Sequence, residues 1–312
     1  MAKFRDSVVQ ESILDGPQSV IESSATESAN GSETLADRSI GSIISETRHL
    51  TADQVERILH YQREKGIRFG EAAIALGLAS TDDVLFALAQ QFHYPYAAED
   101  RRKASPELVA LNQPFGVQAE AFRAIRSQVT MRLFNEGQER RAIAVVSPEA
   151  GDGKTFFSAN LAVTLAQLGG RTLLVDADLR GPRQHAVFGI DNSSGLSGIL
   201  SGRAESKVIQ QVHGVPSLFV LPLGITPPNP LELVERPAFG LLIRELLSKF
   251  DHVVVDTPAA MYGSDSAVIA ARCGSALVVA RQNKARVSRL QDLVANIAES
   301  PARLVGVIVN EF

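Results

Sequence analysis

The sequence has one cysteine, no tryptophan and only four tyrosines. With Cys273 alone, no internal disulfide framework can form, and a single thiol is typical of a reducing compartment. No stretch approaches the roughly 18 apolar residues that cross a bilayer. Acidic side chains interrupt the first apolar stretches, which is unlike a signal peptide. We therefore expect a cytoplasmic protein whose membrane role, if it has one, comes through a partner.

Charge gives little indication of a partner either. The formal net charge of -4 offers no reason to expect nucleic acid. An apolar content of 45% is that of an ordinary soluble protein with a proper core. The length of 312 residues allows one large α/β domain and a smaller module.

Composition divides the chain into four segments. Residues 1–37 are rich in Ser, Glu, Ala and Gly and predict a disordered tail. Residues 38–96 predict a small helical module, and the polar, proline-containing stretch 97–116 predicts a linker. Residues 117–312 would form the large domain.

The small module contains an internal repeat. One spacing pairs Gly41 with Gly70 and Leu59 with Leu88, so two similar halves are expected, each too short to bury a core alone. A hydroxyl residue precedes a helical pattern in each half and predicts an N-cap. The predicted caps are Thr51 and Ser80.

The large domain alternates apolar runs with helical patterns. Buried parallel strands read as near-continuous Val, Ile and Leu runs, and strands separated by helices indicate a doubly wound, mostly parallel α/β sheet. The predicted strands are AIAVVS, TLLVD, SLFVLPL, HVVVD, SALVVA and LVGVIVN.

A phosphate-binding loop follows the first of these strands. The segment SPEAGDGKT, residues 147–155, precedes a helical pattern, and Gly151 and Gly153 let successive N–H groups turn toward phosphate oxygens. Lys154 would reach the β- and γ-phosphates, and Thr155 offers Mg²⁺ a hydroxyl. Pro148 stands where the usual pattern has its first glycine. The predicted ATP-binding residues are Gly151, Asp152, Gly153, Lys154, Thr155 and Phe156.

Three aspartates end two other predicted strands. Asp176 ends TLLVD and Asp178 lies two residues further on, while Asp256 ends HVVVD. Ligands of open α/β sheets bind at the carboxyl ends of strands, so these carboxylates should face the phosphate loop. The alternative is that each only caps a turn, which is common for Asp after a strand. Convergence with the loop favours a Mg-ATP site.

These motifs together resemble the MinD/ParA branch of P-loop ATPases. MinD and ParA proteins carry a signature lysine where Glu149 stands here. Three further stretches resemble bacterial tyrosine kinases that govern exopolysaccharide chain length, in particular the EpsG type. They are Glu120-x-x-Arg123-x-x-Arg126, GLSGILSG at 195–202 and PPNPLELV at 227–234.

The resemblance implies a Mg²⁺-dependent and ATP-dependent kinase. Lys154, Asp176 and Asp178 would be catalytic, and Thr155, Asp176 and Asp256 would hold the metal. Phosphoryl transfer is mostly positioning and charge neutralisation, so such a sparse site suffices.

The resemblance also implies partners. The face formed by Glu120, Arg123 and Arg126 would pack copies of the chain into a ring. A membrane chain-length determinant of the Wzz-like type would recruit the protein to the inner face of the membrane. Without the resemblance, these residues could equally form a local Glu–Arg ion pair on a solvent-exposed helix, and that alternative stays open.

The tyrosines depart from the family pattern. Many relatives end in a tyrosine cluster, whereas no tyrosine follows Tyr262 here. The acceptor would then be Tyr94, Tyr96 or another protein. The alternative is an ATP-controlled switch for polysaccharide export that has little kinase activity.

The small module resembles the MshE-type N-terminal domain of type II secretion ATPases, some of which bind cyclic di-GMP. Its second half matches best and predicts possible ligand contacts at Arg68, Gly70 and Gly77. The first half has Ser39 and Arg48 where the pattern has Arg and Gly. A protein-docking or purely structural module is the alternative.

Overall fold

The computed structural model describes residues 39–91, 105–134, 137, 139–203 and 207–311. The tail predicted over 1–37 lies outside the described residues, as do Tyr94 and Tyr96. Among the helices that are described, none combines the length and apolarity needed to cross a membrane.

The small module is helical, as predicted. Thr51 caps one helix by accepting a hydrogen bond from Gln54 N, and the Gln54 side chain accepts from Thr51 N in return. Ser80 and Asp83 make the same reciprocal pair at another helix. Both predicted caps are therefore confirmed. The helices are α1 (Ile40–Thr47), α2 (Ala52–Lys65), α3 (Phe69–Ala75) and α4 (Thr81–Gln91).

The two halves of the module interlock, because α1 packs mainly on α4 and α2 on α3. Ile44 and Ile58 are fully buried in the shared core. Gly70 lets α3 approach α4 closely, since a Cβ at this position would lie 2.8 Å from Val84 Cγ1. Neither half could bury these side chains alone.

The large domain is built on a seven-stranded sheet within the described residues, in the order β3-β4-β2-β5-β1-β6-β7. Every neighbouring pair is parallel except β3 and β4. The predicted fold class is confirmed. The strands are β1 (Ala142–Val146), β2 (Thr172–Asp176), β3 (Gln210–Gln211), β4 (Leu218–Leu221), β5 (His252–Asp256), β6 (Gly274–Arg281) and β7 (Arg303–Asn310).

Helices cover both faces of the sheet. Along β1, Ile143 and Val145 enter one core, while Ala142, Ala144 and Val146 enter the other. Burial on both faces explains the continuous apolar runs. The helices are α5 (Val109–Asn112), α6 (Val117–Leu133), α7 (Lys154–Ala166), α8 (Gln184–Phe188), α9 (Leu196–Leu200), α10 (Pro230–Glu235), α11 (Pro237–Lys249), α12 (Asp265–Cys273) and α13 (Val287–Ala298), with a 3-10 turn at Ala260–Tyr262.

The large domain begins earlier than residue 117, so the prediction of a linker through residue 116 is wrong in its second half. Leu108 and Leu111 are buried in the domain core. Ala110 N donates to Asn160 Oδ1 at 2.9 Å, and Gln167 Nε2 donates to Ala110 O at 3.1 Å. This segment packs on α7, but the sequence did not indicate it because polar residues surround the two leucines.

Candidate nucleotide-binding site

The loop between β1 and α7 has the backbone of a phosphate-binding loop. Gly151 and Gly153 have φ angles of 80° and 99°, which side-chain-bearing residues rarely adopt. A Cβ on Gly153 would lie 2.3 Å from Asn310 Nδ2, which donates to Asp152 O. Asp152 Oδ2 accepts from Glu149 N at 2.9 Å. These contacts fix the loop and begin α7 at Lys154.

Pro148 is compatible with this loop because the loop uses its carbonyl group. Met261 N donates to Pro148 O at 3.1 Å, and Ala260 N donates to Ser147 O at 2.9 Å. Proline lacks an N–H but keeps its carbonyl acceptor. The segment after β5 therefore fastens the start of the loop.

Glu149 stands where the resemblance places a lysine in MinD and ParA proteins, and it forms an ion pair. Arg289 Nη1 lies 3.2 Å from Glu149 Oε1. The cation offsets a negative charge that would otherwise repel phosphate near the loop.

A cleft of about 610 Å³ opens beside the loop. Lys154, with only 7% of its surface exposed, lines this cleft. Asp178 lines the cleft too and organises its own turn, because its Oδ1 accepts from Arg180 N and Gly181 N. The predicted residues Gly151, Gly153, Thr155 and Phe156 share the same lining.

Asp256 lies fully buried at the end of β5. Its Oδ2 accepts a hydrogen bond of 2.9 Å from Gln184 Nε2, whereas its Oδ1 has no partner among the described residues. Burial raises the pKa of Asp256 to about 6, and neighbouring Lys154 and Thr155 act in the opposite direction. An unpaired buried carboxylate oxygen beside a hydroxyl and a lysine suits a cation ligand.

Asp176 lies opposite Asp256 in the sheet register and is also fully buried. Its Oδ2 accepts from the N–H groups of Arg183 and Gln184, at 3.1 and 2.9 Å, and its Oδ1 accepts from Asp178 N at 3.2 Å. Burial and then the charge of Asp256 raise the pKa of Asp176. Neither Asp176 nor Asp256 is part of the cleft lining, but both oxygens of Asp176 accept protein N–H groups, whereas Asp256 keeps one oxygen without a partner among the described residues. These contacts favour a positioning role for Asp176, and its predicted catalytic and metal-binding roles stay predictions.

Gln184 is a site residue that the sequence did not reveal. Its Nε2 donates to Asp256 Oδ2 and Ser158 Oγ at 2.9 Å, and to Thr155 O at 3.2 Å. The amide thereby joins α8, α7 and the end of β5. No motif marks it, because its role depends on chain segments that meet only in the fold.

Two arginines at the cleft were also missed. Arg180 Nη2 lies 2.9 Å from Oδ2 of Asp265, whose side chain is nearly fully buried. Arg183 Nη2 lies 2.6 Å from Glu107 Oε1. Both guanidinium groups belong to the cleft lining and favour an anionic ligand.

The residues at the cleft fit Mg²⁺ bound together with a nucleotide. Within the described residues, no group of three or more His, Cys, Asp or Glu side chains could hold a metal. Mg²⁺ is usually bound by one or two carboxylates plus phosphate and water oxygens. Thr155 and Asp256 would be the protein ligands, so the phosphates must complete the site.

The predicted ring-forming face on α6 is partly used within the chain. Arg123 pairs with Glu120 and donates to Pro114 O. Arg126 Nη1 donates to Thr164 O at 3.0 Å and so holds α6 against α7. Within the Glu120–Arg123 pair, Glu120 is the more exposed residue, with 72% of its side chain accessible to solvent.

Some of the residues predicted to contact a ligand in the small module have structural roles instead. Gly70 is buried against Val84, so its close approach is to a helix rather than to a ligand. Gly77 has a φ of 67° after α3, and Arg68 is exposed at the start of that helix. In the first half, Arg48 pairs with Asp83 at 2.6 Å.

The parallel sheet, the glycine-bearing loop and the buried carboxylates define a P-loop nucleotide-binding protein. The sequence matches the CobQ/CobB/MinD/ParA nucleotide binding domain over residues 143–312, more than half of the chain. The chain belongs to this family.

Within that family the chain belongs to the bacterial tyrosine-protein kinases. It is 32% identical to the putative tyrosine-protein kinase CapB of Staphylococcus aureus, over 69% of this chain and 92% of the relative. Identity with the tyrosine-protein kinase wzc of Salmonella typhimurium is 31%, over 67% of this chain and 29% of that protein. The chain thus spans less than a third of the longer relative.

Solved structures agree with this assignment. The kinase domain of the Escherichia coli tyrosine kinase ETK superposes with a TM-score of 0.63 at 31% identity, covering 69% of this chain and 84% of that one. The chimerical protein CapA2B2 gives 0.62 at 30% identity, covering 72% and 97%. Each structural match covers most of the solved chain concerned.

Proposed function

We propose that the chain is an ATP-dependent protein tyrosine kinase that phosphorylates itself and acts in exopolysaccharide chain-length control. The observation that carries the proposal is one cleft lined by Lys154, Thr155 and Asp178, with the fully buried carboxylate of Asp256 next to Lys154 and Thr155. Family membership gives the acceptor class, because the relatives are named tyrosine-protein kinases.

The chain's own groups account for the transfer of phosphate from ATP to a tyrosine. The N–H groups around Gly151 and Gly153 and the ammonium of Lys154 bind phosphate oxygens and neutralise their charge. Asp178, at the cleft surface, accepts the proton of the attacking phenol. Mg²⁺, when bound, supplies further charge neutralisation on the phosphates, and Thr155 and Asp256 are the residues that would hold it.

The proposal includes partners. Following the resemblance to chain-length kinases of the EpsG type, a membrane chain-length determinant of the Wzz-like type would recruit the chain to the inner face of the membrane. Glu120 and the turn of α6 that bears it would contact a neighbouring copy in a ring. The exposure of Glu120 supports its part in such a contact.

Labelled ATP tests the enzymatic proposal. The full chain is incubated with Mg²⁺ and γ-labelled ATP, with and without the cytoplasmic segment of the membrane partner, beside Lys154→Ala. Phosphotyrosine that depends on Lys154 supports a kinase. ATP turnover without any phosphoprotein would instead identify a switch that assembles an export complex.

For the small module we propose a protein-docking or purely structural role, with an MshE-like receptor for cyclic di-GMP as the alternative. The packing role of Gly70 and the Arg48–Asp83 pair weigh against the receptor, because both residues are already used within the module. Calorimetry of the full chain with cyclic di-GMP decides between them. A saturable heat of binding that is lost in Arg68→Ala would show that the module is a receptor for cyclic di-GMP. It would overturn a role of the module in docking or structure alone.

A further inference from the structure

Tyr262 lies on the wall of the nucleotide cleft. It ends the 3-10 turn after β5, and 51% of its surface is exposed. The same cleft is lined by Lys154 and Asp178. Tyr61, the other tyrosine in the described part of the chain, lies in the small helical module. Tyr262 is thus the described tyrosine that shares a cavity with the phosphate loop.

The position of Tyr262 along this wall is fixed by the loop itself. The two preceding residues of its turn, Ala260 and Met261, donate backbone hydrogen bonds to the carbonyls of Ser147 and Pro148. Ala150 N donates to Met261 Sδ at 3.4 Å. These bonds tie the turn to the phosphate loop, so a reactive group on the turn is positioned relative to a bound nucleotide.

The backbone after Tyr262 is also constrained. Gly263 has a φ of 146°, and a Cβ there would lie 3.1 Å from Asp265 Oδ2 and 3.5 Å from Arg180 Nη2. The guanidinium of Arg180 therefore lies beside the residue that follows the tyrosine. Although paired with Asp265, this guanidinium is placed to donate also to a phosphate attached to the ring.

We propose that Tyr262 is a phosphoacceptor served by the cleft of its own chain. The inference rests on the proposed kinase function. A bond forms between Tyr262 Oη and the γ-phosphorus of ATP, and the bond from that phosphorus to the β–γ bridging oxygen breaks. ADP leaves with that oxygen, and the phenol proton passes to the Asp178 carboxylate and then to water.

A packing role does not account for Tyr262, because its ring is half-exposed at a cleft mouth. Stacking on the nucleotide base is the competing role. The Tyr262→Phe variant separates the two, since it keeps the ring and removes only the attacking oxygen.

Peptide mass spectrometry tests the proposal on the full chain. Cleavage after Lys249 and Arg272 releases a peptide whose one tyrosine is Tyr262. After incubation with Mg²⁺ and ATP, phosphotyrosine is expected in this peptide for the wild type and for the matched control Tyr61→Phe. It should be lost in Tyr262→Phe and in Lys154→Ala.

Two additions make the result decisive. Isotope-labelled Lys154→Ala chain is mixed with unlabelled wild type, and phosphate on Tyr262 of the labelled chain would overturn the same-chain route. A Glu/Tyr copolymer is supplied as an independent acceptor. Phosphotyrosine on the copolymer or on another tyrosine, with residue 262 unmodified, overturns the inference and leaves the kinase function standing. Phosphotyrosine nowhere overturns both.

Discussion

The side-chain amide of Gln184 donates a 2.9 Å hydrogen bond to Oδ2 of Asp256 in the interior of the large domain. The two residues are distant in sequence and meet because α8 packs against the start of α7, where Gln184 also donates to Thr155 O and Ser158 Oγ. The bond leaves Oδ1 of Asp256 unpaired among the described residues. One oxygen is thus held by the protein, while the other is buried and left without a hydrogen-bond donor, which suits a cation ligand.

Replacing Gln184 by Leu should lower both stability and nucleotide binding. The change removes donors to Asp256 and Ser158 and leaves a buried carboxylate without its protein partner. We expect the free energy of unfolding to fall by about 1–3 kcal/mol. Chemical denaturation and Mg-nucleotide titration measure the two effects. Gln291→Leu, on an exposed position of α13, is the control, and equal values for both variants would contradict this role.

The buried carboxylate of Asp256 predicts a pH dependence. Its pKa of about 6 in the folded state exceeds the ordinary value of 3.8, so the folded protein binds more protons between these values. The free energy of unfolding without nucleotide should therefore fall as pH rises through this window. Asp176, whose pKa is also raised, acts with the same sign. Denaturation from pH 4 to 7 measures the slope.

The variant Asp256→Asn sharpens that test. We expect it to be more stable than the wild type at pH 7 without nucleotide, and to bind Mg-nucleotide more weakly. For the wild type, Mg²⁺ affinity should rise with pH through about 6 because the ionised form is the ligand. Asp251→Asn is the contrast, since the N–H of Arg171 lowers the pKa of Asp251. If both variants shift stability in the same direction, the assignment is wrong.

The ion pair of Arg180 with Asp265 should matter more than a surface pair. Removing Arg180 leaves a nearly fully buried carboxylate without its cation. The variant Arg180→Ala should lose about 2 kcal/mol of stability. By contrast, Arg140 and Asp251 form a pair with both side chains half-exposed, and Arg140→Ala should lose less than about 1 kcal/mol. Urea unfolding of both variants checks the order, and a reversed order contradicts it.

Gly70 should tolerate no added methyl group while Val84 is present. The Cβ of Gly70→Ala would lie 2.8 Å from Val84 Cγ1, and overpacking of this kind costs about 1–3 kcal/mol. Hydrogen exchange over residues 39–91 should show faster opening in Gly70→Ala. The double variant with Val84→Ala should recover part of the loss. Additive losses would show that the two residues do not constrain each other.

Much of the fold could be predicted because it follows from local patterns. Strands such as β1 and β5 are buried on both faces, so they appear as unbroken apolar runs. The phosphate loop has its glycines at the two positive-φ positions, Gly151 and Gly153. By contrast, β3 has only two residues, Gln210 and Gln211, and no pattern marks so short a strand.

The parts of the site that were missed depend on tertiary contacts. Gln184 acquires its role from segments distant in sequence. The spacing of Glu120, Arg123 and Arg126 indicated a helix face but could not show that Arg126 reaches Thr164 O inside the same chain. Asp176 was predicted as a catalytic residue and metal ligand from its place at the end of a strand. Its three N–H donors could not be predicted, because they depend on the path of residues 178–184, which the sequence does not specify.

The most direct test of the proposed kinase function is to measure tyrosine phosphorylation by the wild-type full chain and by Lys154→Ala, with γ-labelled ATP and Mg²⁺. Lys154 is the buried cation of the cleft, and removing one such group from a charge-stabilising site costs about 10²–10³ in rate. We expect phosphotyrosine in the wild type and a loss of at least about that size in Lys154→Ala. Equal phosphotyrosine in both proteins, or none in the wild type, would contradict it.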